Sequence, residues 1–145
     1  MKVISLHTSP DRGFTRPQVE SLELLAGHGV RGDRKAGRRE SRAVLLVGQT
    51  TYDHLQSVGR PLPYGGLGEN MVLDLDPHAL EVGVQLRVGG AVLEVALYCT
   101  PCKTLRERYG SDFPQVLGRR RGMLARVLTG GKVHSGQGVE VILSQ

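Results

Sequence analysis

Two cysteines separated by two residues give the segment Tyr98–Lys103 the clearest chemical potential of this 145-residue sequence. Thr100 suits the N-cap of a helix and Pro101 suits its first position, so a helix is predicted over residues 100–109. Cys102 then lies in the first turn, where unpaired N–H groups, the helix dipole and nearby basic side chains stabilise a thiolate. Cys102 is therefore the candidate nucleophile and the candidate ligand for a soft metal.

Cys99 ends a predicted strand and shares a face with Leu93, Val95 and Leu97, so it is expected to act as a small buried hydrophobic residue. The spacing of the two cysteines, between a strand and a helix, also fits a thiol–disulfide oxidoreductase that uses both Cys99 and Cys102. A structural zinc site needs two further ligands. The five histidines show no such partner spacing, since they stand at positions 7, 28, 54, 78 and 134.

Basic side chains alternate with glycine in the loop from Gly27 to Arg42. Bare backbone lets a ligand approach closely, and cationic side chains attract phosphate. Gly32, Asp33, Lys35 and Arg42 are therefore the candidates in this loop for binding an anionic ligand. Asp33 either accepts hydrogen bonds from that ligand or folds the loop through an Asx turn.

A second glycine-rich loop ends at Glu69 and Asn70, immediately before a predicted strand. These two polar side chains are candidates for contact with a ligand. They serve equally well to cap the loop onto the rest of the chain. The sequence leaves both roles open.

Charge is distributed unevenly over a chain with a formal net charge of +5. Basic blocks at residues 31–42 and 119–121 attract anions, although the second block also fits a solvated face. A basic nucleic-acid-binding barrel stays an alternative, but two phenylalanines, four tyrosines and no tryptophan offer few stacking surfaces, so nucleic acid is not favoured. No apolar stretch suits a signal peptide or a membrane span, and the expected location is the cytoplasm.

The elements that position these loops are mainly short strands. The apolar run Arg42–Val47 predicts a buried strand, and alternation predicts strands over residues 80–88 and 139–143. Gly89-Gly90 predicts a hairpin turn that leads to a strand over residues 91–99. Short helices are predicted at residues 49–58, 100–109 and 113–117. Helical crossovers are too few for a parallel sheet, so we expect one domain over residues 1–145, a mostly antiparallel, distorted β-barrel with two or three short helices.

Three segments in this order resemble the MOSC domain family, the molybdenum-cofactor sulfurase C-terminal domain, in its small stand-alone bacterial form. They are Val30–Gly37 with the strand that follows it, Gly68–Met71, and Thr100–Cys102. Residues 122–128 and 136–139 match the closing pattern of the same family. The ordered set covers the chain from about residue 20 onward.

The resemblance implies a β-rich fold that binds the molybdenum cofactor, an anionic pterin with a dithiolene and a terminal phosphate. It implies that Cys102 is the molybdenum ligand or a sulfur carrier, and that Gly32-Asp33 and Glu69-Asn70 lie near the pocket. The implied activity is sulfur or cofactor transfer, or cofactor-dependent reduction of N-hydroxylated substrates, with a redox or sulfur-donor protein as partner. Lys35 stands where the family often has histidine, which suits an anion but implies no proton transfer.

Overall fold

The computed structural model describes residues 1–11 and 13–142. Its strands are β1 (Val3–His7), β2 (Gln18–Val19), β3 (Ser21–Leu25), β4 (Gly29–Val30), β5 (Val44–Gly48), β6 (Met71–Leu73), β7 (Gln85–Val88), β8 (Ala91–Tyr98), β9 (Met123–Thr129), β10 (Gly131–His134) and β11 (Val139–Ile142). Its helices are α1 (Gln49–Ser57), α2 (Lys103–Tyr109) and α3 (Phe113–Leu117), with 3₁₀ helices at Glu40–Arg42 and Pro77–Ala79.

Eight strands form one sheet in the order β11-β7-β8-β9-β5-β6-β1-β2, and a smaller sheet has the order β10-β3-β4. The neighbouring strands pair antiparallel, except that β5 and β6, which flank α1, pair parallel. The predicted mostly β fold with short helices is confirmed. The expected closed barrel is not found, because both sheets are open.

The outer edge of β1 explains why the large sheet stays open. Strand β2 occupies the end of that edge near His7. The opposite end meets the segment before β11 through one isolated antiparallel bridge between Lys2 and Gly138. Two different segments therefore share one short strand, and neither of them extends into a ladder that closes the sheet.

Strand β5 is buried on both faces, which accounts for its continuous apolar run. Val44 and Leu46 lie in a hydrophobic cluster that includes residues of the small sheet. Leu45 and Val47 lie in a second cluster, to which the three helices contribute Tyr52, Leu55, Leu105, Phe113 and Leu117. The helices thus cover one face of the large sheet, and none in the described residues is long and apolar enough to span a bilayer.

Several predicted elements are confirmed, and three predicted boundaries are wrong. Helices α1 and α3 and the hairpin between β7 and β8 agree with the sequence pattern. The strand predicted from Arg42 begins at Val44, because Glu40–Arg42 forms a 3₁₀ helix. The strand predicted over residues 80–88 begins only at Gln85, because Glu81–Val84 forms a turn in which the N–H of Val84 donates to Glu81 O at 3.2 Å. Helix α2 begins at Lys103 rather than Thr100. The predicted last strand agrees up to Ile142, and Leu143 lies outside the described residues.

Candidate functional site

A buried ion pair between Arg16 and Asp33 fixes the basic loop after β4. Nε and Nη2 of Arg16 donate to Oδ1 and Oδ2 of Asp33 at 2.8 and 2.9 Å, and both side chains are almost fully buried. The Thr8 hydroxyl and the Ser9 N–H also donate to Oδ1, while the Lys35 N–H donates to Oδ2. The last contact is the Asx turn, so the chain's own donors occupy both carboxylate oxygens of Asp33.

The same contacts set the protonation state of Asp33. Burial alone raises the pKa of this carboxyl group, but the hydrogen bonds and positive charge of Arg16 outweigh burial. Together with the N–H groups of Lys35 and Ser9, they lower the pKa of Asp33 to about 2. The carboxylate therefore stays ionised at neutral pH and shapes the loop, while a contact between Asp33 and a ligand remains a prediction.

Asn70 joins three separate segments of the chain. Its Oδ1 accepts the N–H of Leu45 at 3.1 Å, and its Nδ2 donates to His7 O at 3.2 Å and to Asp33 Oδ1 at 3.4 Å. The side chain is fully buried. Asn70 therefore holds β1, β5 and the basic loop together, and the ligand contact predicted for it remains a prediction.

Glu69 is fully buried and uses only one of its two carboxylate oxygens within the described residues. Oε2 accepts the Tyr52 hydroxyl and, at 3.0 Å, the N–H of Gly65, whereas Oε1 has no hydrogen-bond partner there. Burial and then the charge of Glu69 raise the pKa of Tyr52, so its hydroxyl stays a donor. Gly65 has a φ of +91°, and a Cβ there would lie 2.4 Å from Arg16 O, so only glycine fits this contact.

Arg121 is a buried cation with unused hydrogen-bonding capacity. Its exposed fraction is 3 %, and neither Nε nor Nη1 has a partner among the described residues. The next residue, Gly122, has a φ of +126°, and a Cβ there would lie 2.3 Å from Leu46 O. The chain therefore packs directly against β5 at Gly122, immediately before β9. The basic block at residues 119–121 is therefore not one solvated face, because Arg119 is exposed while Arg121 is buried.

Lys35 connects the basic loop with the region around Arg121 and the cysteine segment. Its side chain is half-buried. Burial lowers the pKa of Lys35, and the positive charges of Arg16 and Arg121 lower it further, whereas Cys99 raises it. Lys35 thus lies within electrostatic reach of both Arg121 and Cys99, and an anion between them would offset the repulsion among these cations.

An open cleft of about 230 Å³ lies on the outer side of Lys35. Arg42, which the sequence predicted as a binding residue, is exposed and lines this cleft. Arg38 and Arg39 complete the lining. Gly32 is exposed in the turn before Asp33. The arrangement provides an accessible cationic surface for a phosphate group.

Cys102 is an exposed free thiol at the N-cap of α2. Its backbone is extended, and its carbonyl accepts the N–H of Leu105 at 3.1 Å. The prediction that Thr100 caps the helix is wrong, because the chain turns helical only after Cys102. Cys102 remains next to the start of the helix, as predicted, but outside its first turn.

Cys99 is a half-buried free thiol packed against the helix-covered cluster, so it is less buried than predicted. It does not share a cluster with Leu93, because the pairing of β8 with β9 is irregular between Val95 and Leu97.

The N–H of Cys99 donates to Gly122 O at 3.0 Å, which places the cysteine segment beside the residue that follows Arg121. The structure therefore brings Lys35, Arg121 and Cys99 to one region. No hydrogen bond or ion pair in the described residues joins Cys102 itself to the basic loop.

No group of three or more histidine, cysteine, aspartate or glutamate side chains within residues 1–11 and 13–142 is arranged to hold a metal ion. A metal at Cys102 would therefore need further ligands from a bound molecule, and a soft metal with sulfur ligands suits a single thiolate.

The sequence interpretation missed three site residues, Arg16, Tyr52 and Arg121. Arg16 and Tyr52 contact Asp33 and Glu69 from distant parts of the chain. Arg121 belongs to a basic run that fits a solvated face equally well. The glycine after Arg121 was the one local indication that the backbone packs closely there.

Comparison with protein families gives a match to the MOSC domain over residues 28–140. The YuaD protein from Bacillus subtilis has a similar structure, with a TM-score of 0.84 and 22% identity over 99% of this chain and 96% of that chain. YiiM from Geobacillus stearothermophilus gives 0.80, with 20% identity over 98% and 75% of the two chains. YiiM from Escherichia coli gives 0.75, with 23% identity over 100% and 71%. A comparison with curated protein sequences gives no match.

Proposed function

This chain belongs to the MOSC domain family, and we propose that it binds the molybdenum cofactor with Cys102 as the protein ligand of molybdenum. The activity that we propose is sulfur or cofactor transfer, or cofactor-dependent reduction of N-hydroxylated substrates. Two free thiols favour a reducing compartment, so we place this activity in the cytoplasm.

The observation that most supports an anionic ligand is the state of Arg121. A buried guanidinium with two nitrogens that have no partner in the described residues is costly, since burial of these nitrogens is not offset by hydrogen bonds within the chain. Lys35 adds a second positive charge in the same region, and burial already lowers the pKa of this ammonium group. An anionic ligand would accept hydrogen bonds from Arg121 and relieve the repulsion between the two cations.

The other polar groups of the site complement different parts of a pterin. Lys35 and Arg42 would hold its terminal phosphate at the cleft, beside the bare backbone of Gly32. Oε1 of Glu69, which has no partner in the described residues, would accept a hydrogen bond from a ring N–H group. Asp33 and Asn70 keep the loops in place, because their side chains are committed to contacts within the chain.

Cys102 suits the metal end of the cofactor because its thiol is exposed and has no competing capping hydrogen bond. When bound, the cofactor supplies a two-electron redox centre and the remaining sulfur ligands. The chain's part is to present one thiolate, to bind the anionic groups and to leave Cys102 open to a redox or sulfur-donor protein. The exposed thiol of Cys102 is accessible to such a partner protein.

The test compares Cys102→Ser with Cys99→Ser, both purified from a host that makes the cofactor. We expect Cys102→Ser to lose bound molybdenum and any reductase activity toward an N-hydroxylated substrate, while Cys99→Ser retains both. If the metal content of Cys102→Ser equals that of the wild type, the ligand assignment is wrong. If instead both variants lose a disulfide-reductase activity of the wild type, the dithiol alternative replaces the cofactor proposal.

A further inference from the structure

The cationic cleft outside Lys35 has more positive charge than a single phosphate group requires. Lys35, Arg38, Arg39 and Arg42 line this cleft of about 230 Å³. In the described part of the chain, none of these four side chains forms an ion pair with a carboxylate. The cleft therefore has four positive charges that the protein itself does not neutralise.

Both carboxylates of the segment 31–42 pair with cations that do not line the cleft. Asp33 pairs with the buried Arg16. Glu40 lies 3.9 Å from Nη1 of Arg126, a residue of β9. The loop contains enough acidic residues to balance part of its charge, yet the fold uses them elsewhere. Separation of the carboxylates from the basic side chains leaves the positive charge of the cleft available to a multiply charged anion. A basic surface that contacts only water gains nothing from such separation.

A phosphate monoester has a charge of about −1.5 to −2 near pH 7 and three acceptor oxygens. Four cations exceed that charge by about two. The guanidinium groups of Arg38, Arg39 and Arg42 each present a fork suited to two oxygens, which together exceeds the oxygens of one phosphate. A second, linked phosphate adds both the missing charge and further acceptors.

We propose that this cleft binds a ligand with two linked phosphate groups, and that it selects diphosphates over monophosphates. The inference deepens the proposed function and rests on it, because the same loop would hold the phosphate of the cofactor. It identifies the preferred form of the ligand as one whose phosphate is extended by a second phosphoryl group. Lys35 is half-buried, whereas the three arginines that line the cleft are exposed.

The experiment measures binding of inorganic phosphate, pyrophosphate, a nucleoside monophosphate and the matching nucleoside diphosphate by calorimetry at constant ionic strength. The protein is purified from a host that lacks the molybdenum cofactor. We expect each diphosphate to bind about tenfold more tightly than its monophosphate partner, the change expected for one added charge-assisted contact. The variants Arg38→Ala and Arg39→Ala should remove this preference and leave phosphate binding within about threefold of the wild type.

The control is Arg87→Ala, which removes an exposed arginine paired with Glu140 on a distant strand and should change nothing. Citrate serves as an anion of similar charge and different shape. If citrate binds as tightly as pyrophosphate, or if the variants keep the preference, the proposal is wrong. Tighter binding of a single-stranded oligonucleotide through the same arginines would also overturn it and assign the cleft to nucleic acid.

The outcome is independent of the cofactor test. A diphosphate preference, together with no molybdenum in protein purified from a cofactor-producing host, would retain the cleft assignment and reject the proposed function. Molybdenum bound through Cys102 without any diphosphate preference would support the proposed function and reject the cleft assignment.

Discussion

Two buried polar groups lie near each other in this fold and differ in how completely they are satisfied. The Arg16–Asp33–Asn70 cluster occupies nearly all of its donors and acceptors within the chain. Arg121 and Glu69 are equally buried, yet Nε and Nη1 of the first and Oε1 of the second have no partner in the described residues.

The difference separates residues that hold the site from residues that bind. A fully bonded buried cluster adds rigidity to the loops that it joins. Unpartnered buried groups lower the stability of the free protein and regain that energy when a ligand satisfies them. Variants of the first cluster should therefore unfold the protein, and variants of the second should release the ligand.

Asp33→Ala is expected to have the largest effect, because it leaves the Arg16 guanidinium buried without its carboxylate. The free energy of unfolding should fall by about 3–5 kcal/mol. Urea denaturation followed by circular dichroism measures the change. Arg87→Ala is the matched control, since its exposed pair with Glu140 should be worth less than about 1 kcal/mol. Equal losses in the two variants would remove the distinction between this cluster and the surface.

The stability supplied by the Asp33 carboxylate should depend on pH. Its pKa in the folded protein is about 2, below the value of about 3.9 in an unfolded chain, so the contribution is complete above pH 4 and disappears as the pH falls through 2. The free-energy difference between the wild type and Asp33→Asn should therefore shrink by about 2–3 kcal/mol over this range. A difference that stays constant from pH 6 down to pH 2, measured by urea denaturation, would contradict the ion pair.

Asn70→Ala should have an intermediate effect, because it leaves the N–H of Leu45 buried without its acceptor. A loss of about 1–3 kcal/mol in the free energy of unfolding is expected. Hydrogen exchange at Leu45 gives a direct readout, since the amide should exchange faster in the variant. Unchanged exchange at this amide would show that Asn70 does not join β5 to the loop.

Arg121→Met should have the smallest effect on the stability of the cofactor-free protein and a large effect on binding. Removal of an unpaired buried cation costs no hydrogen bond, so the free energy of unfolding should stay within about 1 kcal/mol of the wild type or rise. The same variant, purified from a cofactor-producing host, should contain at least about tenfold less pterin. A strong loss of stability with normal pterin content would place Arg121 with the structural cluster instead.

Local sequence patterns predicted those strands and helices whose conformation depends on the residues of one short segment. The apolar run of β5 and the spacing within α1 are of this kind. The open sheet depends on β2 and the segment before β11 meeting opposite ends of β1, which no single segment reveals. The strand predicted from residue 80 failed because Gly83 turns the backbone, although the alternation of side chains continues through it.

The site was predictable to the same extent. Cys102, Lys35 and Arg42 were predicted because their types and neighbours indicate anion and metal chemistry, and their binding roles stay predictions. Arg16 and Arg121 were not, because a basic residue in a loop looks the same whether it becomes buried or stays exposed. The acidic residues show the same limit. Asp33 and Glu69 are both buried, and only partners elsewhere in the chain decide whether both carboxylate oxygens accept hydrogen bonds.

The central claim is that the chain binds the molybdenum cofactor. The most direct measurement is the molybdenum and pterin content of the wild-type protein purified from a host that makes the cofactor, compared with protein from a host that does not. We predict about one pterin and one molybdenum per chain from the first host and neither from the second. Protein from the first host that contains no pterin and no molybdenum would contradict this claim.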